Sequence, residues 1–598
     1  MLTNLKKFLE LLSSVEKKKL IILMFMILIM ALVDMLGVAS IMPFMAVLAN
    51  PELIETNKIL AEMYVYSKSA DKESFFFILG LIVFFILVFS LFFKGMTTYF
   101  QIQFAMTCEY TIGKRFIEGY IHQPYVWFLN RHSAELGKNI LSEVQTVILN
   151  VVMPFITIFS QGAVVIAIFV LLLFIDTLLS LSVCFFLGLF YFGIYKIMSR
   201  KLSSIGQSRL EANEGRFTAV IETFAASKEI KIGNHEDVCI KRFSNPAKIY
   251  AKQQIAAEVI STLPRFMFEA IAFGGLMSVI LYLMSSKGNF SNSIPIVTLY
   301  AFAGYRLMPA LQFIYRAVSQ IRFAEASLNF LYNDLIKLKK LNSGSKNFNI
   351  IKFENDIQLK NIIFKYPNSD NLVLKKLSLK ILAKSAVALV GKTGSGKTTI
   401  VDLIMGILNP LNGTLEVDGN IIDNNNCKSW QKIIGYVPQQ IYLANDTIEA
   451  NIAFGIDMDK INSSEIERSA KIANLHEFVT NQLPEGYKTF VGERGVRLSG
   501  GQRQRIGIAR ALYHNPKVLI MDEATSALDG LTEKAIMQTI NELRNDITII
   551  IIAHRLSTVR ECDQIYLVDD GKIIAQGNFL ELIKKNDTFS SMVSQYKQ

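Results

Sequence analysis

The residues whose types and spacing could do chemistry begin with a glycine-rich stretch at 391–399, GKTGSGKTT, directly after the apolar run AVALV. The stretch fits G-x-x-x-x-G-K-[ST], which between a strand and a helix binds nucleotide phosphates. Glycines let backbone N–H groups approach the phosphates, and the N-terminus of the following helix favours anions. The predicted nucleotide-binding residues are Gly391, Lys392, Thr393, Gly394, Ser395, Gly396, Lys397, Thr398 and Thr399.

An apolar run that ends in two carboxylates, KVLIMDE at 517–523, supplies the acids that such a site needs. In loops of this kind the ammonium of Lys397 reaches the β- and γ-phosphates, and the hydroxyl of Thr398 is a ligand for Mg²⁺. We expect Asp522 to join the metal shell and Glu523 to polarise the attacking water. The two motifs together predict magnesium-dependent hydrolysis of a nucleoside triphosphate.

A third motif, LSGGQ, lies between these two and offers another glycine-preceded helix N-terminus, a second device for binding phosphate. With it the chain resembles the ABC transporter superfamily over nearly its whole length, since other P-loop ATPases lack this signature. The resemblance implies that two ATP molecules are sandwiched between two subunits, each held by the P-loop of one and the signature of the other. The signature residues are Leu498, Ser499, Gly500, Gly501 and Gln502.

Further positions match this family one by one and in its order. Tyr366 in FKYP resembles the aromatic residue that stacks on adenine, and Gln439 in YVPQ resembles the catalytic glutamine that touches Mg²⁺ and water. Asp529 in SALD resembles the loop joining the two ATP sites, and His554 in AHR the catalytic histidine that contacts the γ-phosphate. VGERG at 491–495 resembles the exporter segment that contacts coupling helices. Since no catalytic position departs from the pattern, both ATP sites of a homodimer are expected to hydrolyse ATP.

Composition places these motifs in a larger membrane protein. The 598 residues exceed one compact core, and 51% of them are hydrophobic against 19% charged, too apolar for an ordinary soluble protein. The net charge of +11 fits basic residues flanking membrane spans, and no aromatic-interleaved basic patch indicates nucleic acid. The five scattered cysteines lack metal-binding spacing and are expected to be reduced structural thiols.

The membrane part is predicted as an α-helical domain of six transmembrane helices with extended cytoplasmic helices, followed by an α/β P-loop ABC nucleotide-binding domain. Each apolar segment is about long enough to cross ~30 Å of hydrocarbon. The expected domains are 1–334 for the membrane part, 335–350 for a polar linker and 351–598 for the ATPase. The six spans are predicted near 20–48, 75–101, 147–174, 177–199, 264–286 and 294–320.

The charge pattern predicts the orientation. The segments 102–146 and 200–263 are long, charged and helix-patterned, so the positive-inside rule places them, the N-terminus and the nucleotide-binding domain in the cytoplasm of a bacterium, under the inner membrane. Their turns, near 123–130 and 226–232, are where a second domain could be touched. Residues 3–13 fit an interfacial helix on the cytoplasmic face.

Outside the membrane, the residues after the first span recur at roughly helical spacing. They predict an amphipathic external helix at about 53–66, lying near the outer leaflet. The alternative is a simple connecting loop.

Three basic residues in or beside the spans are candidates for a substrate cavity: Lys94, Arg265 and Arg306. Charges in apolar spans are expensive, which makes them functional hypotheses, and a cationic belt would suit a phosphate or pyrophosphate group. The alternative is that they reach the interface or pair with Asp34 and Glu269.

The stretches IMPF, LPR and YRLMP, with the external segment, resemble the bacterial flippases of protein N-glycosylation. That resemblance implies ATP-driven translocation of a polyprenyl-diphosphate-linked oligosaccharide by a homodimer in contact with membrane lipids. Export of another amphiphile, such as lipid A, a drug or a peptide, is the alternative. A nucleotide-gated channel is disfavoured because such proteins tend to lose the carboxylate present here as Glu523.

Overall fold

The computed structural model describes residues 2–49, 51, 54, 58–67, 71–175, 177–286, 294–341, 351–367, 369–524, 530–543, 546–553 and 559–595. The chain divides into two compact units. The first comprises residues 1–123 and 131–343, and the second comprises 124–130 and 344–598. Residues 124–130, predicted to lie in the membrane domain, are therefore grouped with the ATPase residues.

The first unit is helical throughout the part that the structure describes. Two short π-helical stretches interrupt the helices here: Asn139–Glu143 precedes the third predicted span, and Ile148–Val152 lies at its start. Its α-helices are α1 (Leu2–Leu11), α2 (Ser14–Ala39), α3 (Ile41–Ala49), α4 (Lys58–Ser67), α5 (Lys72–Ile121), α7 (Ser133–Lys138), α8 (Val144–Val147), α9 (Met153–Ile175), α10 (Thr177–Ala225), α11 (Ser227–Gly233), α12 (Glu236–Thr262), α13 (Pro264–Ser286), α14 (Ile294–Phe323) and α15 (Glu325–Leu341), with α6 (Tyr125–Leu129) in the second unit.

Each of the six apolar segments coincides with a helix or a helix pair. Among the described residues, three helical stretches are long and apolar enough to cross a membrane: Ser14–Leu48, Lys72–Ile121 and Ser133–Ile175. With 50 residues, α5 is about 75 Å long at 1.5 Å per residue, far more than a bilayer core requires. Helices therefore continue out of the spans, as the long charged segments predict.

A buried polar cluster joins these helical extensions. The Arg209 guanidinium donates to Glu143 and to Ser327, each at 2.6 Å, and Asn213 donates to the other oxygen of Glu143 at 2.8 Å. Glu143 closes the first π-helical stretch, so a rare backbone form presents the buried acid. Breaking such a pair is costly because it leaves a charge buried without its partner.

The two helices predicted outside the spans differ in how they pack. Helix α1 turns Phe8 and Leu11 into the protein, so its apolar face is covered by neighbouring helices. The external helix α4 is present over 58–67 and packs Tyr64 edge-on against Phe75, with ring centroids 5.3 Å apart. Several residues of the predicted external helix, 53 and 55–57, lie outside the described residues.

The predicted linker starts too early. Residues 335–341 are the last part of α15, and Leu335 and Leu338 are buried. The sequence LIKLKKL at 335–341 is rich in lysine, but its leucines recur at helical spacing. These buried leucines pack this end of the helix against the protein. The rest of the predicted linker, 342–350, lies outside the described residues.

The second unit is an α/β structure with two sheets. One is antiparallel in the order β2-β1-β4-β5, and the other has the order β10-β9-β3-β8-β7-β6, parallel apart from β10. The strands are β1 (Asp356–Phe364), β2 (Leu374–Leu382), β3 (Ala386–Val390), β4 (Asn412–Val417), β5 (Asn420–Ile421), β6 (Ile434–Val437), β7 (Val518–Asp522), β8 (Thr548–Ile552), β9 (Gln564–Asp569) and β10 (Lys572–Gly577).

In the larger sheet, β7 and β8 are buried along their whole length, as expected for parallel strands that are covered on both faces. Val126 of α6 packs against the apolar core of the same unit. The helices of the second unit are, besides α6, α16 (Lys397–Ile404), α17 (Cys427–Gln431), α18 (Ile448–Ile452), α19 (Ser463–Ile472), α20 (His476–Gln482), α21 (Gly500–Leu512), α22 (Gly530–Glu542), α23 (Phe579–Lys585) and α24 (Asp587–Gln595).

Candidate functional site

The carboxyl ends of four neighbouring parallel strands bring the predicted ATPase residues to one edge of the larger sheet. The P-loop follows β3, Gln439 follows β6, and Asp522 ends β7 with Glu523 next to it. Strands β8 and β7 lie between β3 and β6, with Asp522 paired in register with Ile552. Ligands of open α/β sheets bind at this edge, so separate motifs of the sequence form one site.

The P-loop has the backbone form that phosphate binding needs. Gly394 and Gly396 have φ of 83° and 103°, a region that residues with a Cβ rarely adopt. The buried Lys397 ammonium donates to the carbonyls of Gly391 and Lys392, each at 2.9 Å. Burial lowers the pKa of Lys397, and the nearby charges of Glu523 and Asp522 oppose that shift. The lysine is thus held inside the loop where phosphate oxygens would bind.

Gln439 and Glu523 are in direct contact. The Gln439 amide Nε2 donates to Oε2 of Glu523 at 2.8 Å. The backbone of Glu523 has φ of 49°, in the left-handed region, which costs a non-glycine residue of order 1–3 kcal/mol. Its N–H donates to the carbonyl of Ile552 at 3.3 Å on the neighbouring strand. The sheet therefore holds the acid in a strained conformation at the strand end, next to the glutamine.

Tyr366 lies at the other side of the P-loop helix. Its hydroxyl is 3.0 Å from Oγ1 of Thr399, and its ring packs edge-on against Phe364 at 5.1 Å. Burial raises the pKa of the Tyr366 hydroxyl, so the group stays neutral. The ring is thereby placed beside the helix that starts with the P-loop lysine, and stacking on adenine stays a prediction.

The signature motif begins helix α21. Ser499 is the N-cap residue: its Oγ accepts from the N–H of Gln502 at 3.2 Å, and Gln502 Oε1 accepts from the N–H of Ser499 at 2.7 Å. Ser499 is exposed. A capped, solvent-facing helix N-terminus of this kind suits an external phosphate.

Two predicted residues, Asp529 and His554, lie outside the described residues, so their roles stay predictions. The VGERG segment is described: Glu493–Gly495 forms a short 3₁₀ turn, and Val491 is buried while its N–H donates to the carbonyl of Asp446 at 3.0 Å.

The oxygen groups present fit a magnesium ion. Thr398 offers an exposed hydroxyl at the start of α16, and Asp522 and Gln439 offer a carboxylate and an amide oxygen at the same sheet edge. Mg²⁺ prefers such hard oxygen ligands and usually shares them with substrate phosphates and water. When bound, it would neutralise charge on the phosphates.

Sequence reasoning missed two charged residues around this site. Asp402 of α16 is half-buried, and burial, with the charge of Asp522, raises its pKa to about 6. Arg510 of α21 lies within a run of buried small and apolar residues, and its burial lowers its pKa to about 10, so it stays charged. In both cases the available signal was a charge on the buried face of an otherwise apolar helix pattern.

In the membrane unit, the predicted basic residue Arg306 is neutralised by an acid. Its Nη1 lies 3.3 Å from Oδ1 of Asp34, which also accepts from the Ser90 hydroxyl at 3.0 Å. Asp34 is 2% exposed and Arg306 17% exposed, so this is a buried ion pair between α2 and α14.

The other two basic residues have different surroundings. Arg265 pairs with Glu269 one turn along α13 at 2.8 Å and is 64% exposed. Lys94 has no ion-pair partner within the part of the chain that the structure describes. The pairing alternative thus describes Arg306 and Arg265 in this structure, and a substrate-facing role of the three stays a prediction.

A family model described as ABC transporter matches residues 374–526, and one described as ABC transporter transmembrane region matches residues 20–308. An ATP-dependent lipid A-core flippase of Vibrio parahaemolyticus is 32% identical over 475 residues, 79% of this chain and 80% of that protein.

Two further matches extend the picture. The lipid A-core flippase of Haemophilus influenzae is 30% identical over 489 residues, covering 81% of this chain and 82% of that one. The structure of a bacterial Atm1-family ABC exporter with ATP bound covers 98% of this chain and 99% of its own, with a TM-score of 0.77. At 22% identity, that likeness supports the fold.

The fold and the site define a multi-pass membrane transporter that couples ATP hydrolysis to export. The chain belongs to the ABC transporter family, as a half-transporter of the type IV exporter architecture. The flippases matched above are named for lipid A-core, so the finer likeness to N-glycosylation flippases stays a prediction. The matched stretches in the spans are only three to five residues long, which is too short to separate these two groups of flippases.

Proposed function

We propose that two copies of this chain form an ATP-driven exporter of an acidic amphiphile of the lipid A class, which crosses the inner membrane of a bacterium. The carrying observation is the similarity to lipid A-core flippases over about four-fifths of both chains. The exposed lysines at 17–19, where the first span begins, support a cytoplasmic N-terminus, because basic residues favour that side. The ATPase unit lies on the same side in this proposal.

Dimerisation is part of the proposal because each chain has one P-loop and one signature. Phosphate held by Lys397 of one subunit would meet Ser499 of the other. The second cytoplasmic turn supports this: α11 has no buried residue, and Ile232 is 84% exposed. A partner subunit would cover such apolar side chains.

The proposed catalytic roles follow from the sheet edge. Glu523 accepts a proton from the water that attacks the γ-phosphate, and Gln439 holds Glu523 through its amide. Thr398 and Asp522 would hold Mg²⁺, Tyr366 would stack on adenine, and His554 and Asp529 complete the site by resemblance. The leaving group is ADP, so the phosphorus–oxygen bond to the bridging oxygen breaks as the bond to water forms.

A polyprenyl-diphosphate-linked oligosaccharide is the second candidate substrate. The external helix α4 favours it, because Met63, Val65 and Tyr66 present an exposed apolar surface that could hold a long lipid tail. The cationic residues Lys94 and Arg265 would serve a pyrophosphate in this case.

Transport in proteoliposomes distinguishes these candidates. Labelled lipid A, a lipid-linked oligosaccharide and a neutral phospholipid would be compared for ATP-dependent movement between leaflets, with Glu523→Gln as the hydrolysis-deficient control. We expect lipid A to move in the wild type and to stay in place in the variant. Movement of the oligosaccharide lipid alone would favour the second candidate, and movement of neither would reject both.

A further inference from the structure

The segment that follows Gln439 is packed tightly against the signature helix α21. A Cβ on Gly507 would lie 2.4 Å from Cδ1 of Ile441, and one on Gly495 would lie 2.6 Å from Cδ1 of Leu443. Both distances are shorter than real Cβ contacts allow, so a larger residue at either position would force the Ile441 or the Leu443 side chain to move. The segment therefore cannot slide along α21 without losing this fit.

Arg510, near the C-terminal end of α21, fastens the same segment by hydrogen bonds. Its Nε donates to the carbonyl of Asn451 and its Nη1 to the carbonyl of Tyr442, both at 2.8 Å. Its Nη2 reaches Oδ1 of Asn451 at 3.3 Å, and the guanidinium lies over the ring of Phe454, 4.7 Å from the centroid. The rigid fork of an arginine can make these contacts at once, which a lysine cannot.

Asn451 extends this attachment further along the same segment, to Ala444. Its fully buried side chain accepts from the N–H of Ala444 at 2.9 Å and donates to the carbonyl of Ala444 at 3.0 Å. The backbone from Tyr442 to Ala444 is thus bonded to Arg510 directly and through Asn451. This network links the chain just after Gln439 to a helix whose first residues are the signature motif.

We propose that Arg510 is a positioning residue for ATP hydrolysis, which makes Gln439 move together with the signature helix. Gln439 would then reach Glu523 only when Ser499 is also in place. Ser499 lies about 16 Å from Arg510, at the other end of α21. The inference rests on the proposed role of Gln439. Arg510 touches neither Gln439 nor Glu523 in this arrangement and acts through the backbone between them.

The chain offers a matched control in Arg468 of α19. Its Nη2 donates to the carbonyl of Leu512, at the end of the same helix α21, at 2.7 Å, and its Nε bonds Glu465 at 2.8 Å. Arg468 thus holds the signature helix by a guanidinium, as Arg510 does, but these two hydrogen bonds do not involve the segment after Gln439. The change in kcat on replacing Arg468 therefore measures the effect of loosening α21 in general.

The test is a double-mutant cycle on the full-length protein in lipid, measuring kcat and KM for ATP. Arg510→Met should lower kcat about tenfold with KM changed less than about twofold, because the P-loop is intact. Arg510→Lys should recover part of the loss. In a Gln439→Ala background, itself slowed about tenfold, Arg510→Met should change kcat less than about twofold, since the two residues act in one path.

Each other outcome counts against the proposal. Equal loss of kcat in both backgrounds, or an equal loss from Arg468→Met, would make Arg510 a structural residue. A fall in the thermal midpoint of Arg510→Met that Arg510→Lys does not reverse would do the same. If Gln439→Ala alone leaves kcat unchanged, the proposed role of Gln439 fails and this route fails with it, while lipid A transport remains a separate measurement.

Discussion

The ion pair between Asp34 and Arg306 holds two charges largely inside the protein, with the Arg306 side chain 17% exposed. Asp34 is almost fully buried, and its second oxygen, Oδ2, has no hydrogen-bond partner among the described residues. A buried pair is weakly stabilising at best, but removing one partner leaves an unpaired charge that costs about 3–5 kcal/mol. This asymmetry allows the structural and transport roles of Arg306 to be separated.

We expect Arg306→Met and Asp34→Leu each to lower the thermal midpoint of the purified protein, and the double variant to regain most of that loss. Transport of the labelled lipid is then measured in the double variant. If transport returns with stability, the pair is structural. If the protein is stable but transport stays impaired, Arg306 has the substrate role that the sequence predicts.

Asp402 gives a prediction in pH. Its raised pKa of about 6, against 3.8 ordinarily, means that the folded state binds its proton more tightly than the unfolded state. The associated stability is present below about pH 4, is lost as pH rises to about 6, and stays lost above. Asp402→Asn should therefore increase the free energy of unfolding at pH 7.5 by about 1–2 kcal/mol after solvent screening, seen as a higher thermal midpoint, with little effect at pH 4.

Asp423 is the control of opposite sign. Backbone N–H groups of Asn425 and Asn426 donate to its carboxylate and hold its pKa below the usual value. Asp423→Asn should lower the midpoint at pH 7.5. A midpoint of Asp402→Asn that follows the wild type at every pH would contradict the raised pKa.

At the level of elements, α1 packs along α15 and is joined to it by side-chain hydrogen bonds. Asn4 donates to Glu325 at 3.1 Å and Lys7 to Asn329 at 2.6 Å, so one face of α1 follows α15 for a turn or more. Phe8 stacks on Phe155 of α9, with centroids 5.7 Å apart. The apolar face of this amphipathic helix therefore packs against other helices of the protein.

Phe8→Ala should destabilise the membrane unit by about 3 kcal/mol, the usual cost of removing a buried aromatic ring. The thermal midpoint in detergent and in lipid nanodiscs measures this loss, with the exposed Lys6→Gln on the same helix as control. A purely lipid-embedded α1 predicts no loss in detergent, and that result would contradict the packing described here.

Much of the ATPase site could be predicted because its functional residues lie in short contiguous motifs. A P-loop needs its glycines and lysine in sequence, so residues 391–399 identify themselves, and the order of strands at the sheet edge then follows from the fold. The sequence names Asp34 and Glu269 as possible partners of the basic residues in the spans, but only the fold shows that Arg306 pairs with Asp34, 272 positions away. The same holds for Glu143 and Arg209, whose pairing depends on a π-helical stretch with no sequence signal.

Element ends were the other weak point. The polar residues of 335–341 look like a linker, but burial of two leucines extends α15 through them. Composition averages over a helix's faces, whereas packing acts on one face, so a half-exposed helix end is easily read as loop.

For the whole molecule, the central expectation is that each ATP site is shared between two chains. Lys397→Ala removes the P-loop lysine, and Ser499→Arg places a bulky cation at the signature N-terminus. Each homodimer should lose ATPase activity, because both of its sites contain the change. In a mixed dimer, the P-loop of the Ser499→Arg chain faces the intact signature of the Lys397→Ala chain, so one site is whole.

Co-expression of the two variants with different affinity tags, followed by purification through both tags, isolates that mixed dimer. It should hydrolyse ATP at up to about half the wild-type rate if its sites act independently, and at a lower but measurable rate if closure of one site requires ATP at the other. Each tagged homodimer, purified in the same way, provides the background. Mixed dimers as inactive as both parents would show that one complete site cannot turn over, and activity in the Ser499→Arg homodimer would remove the signature from the site.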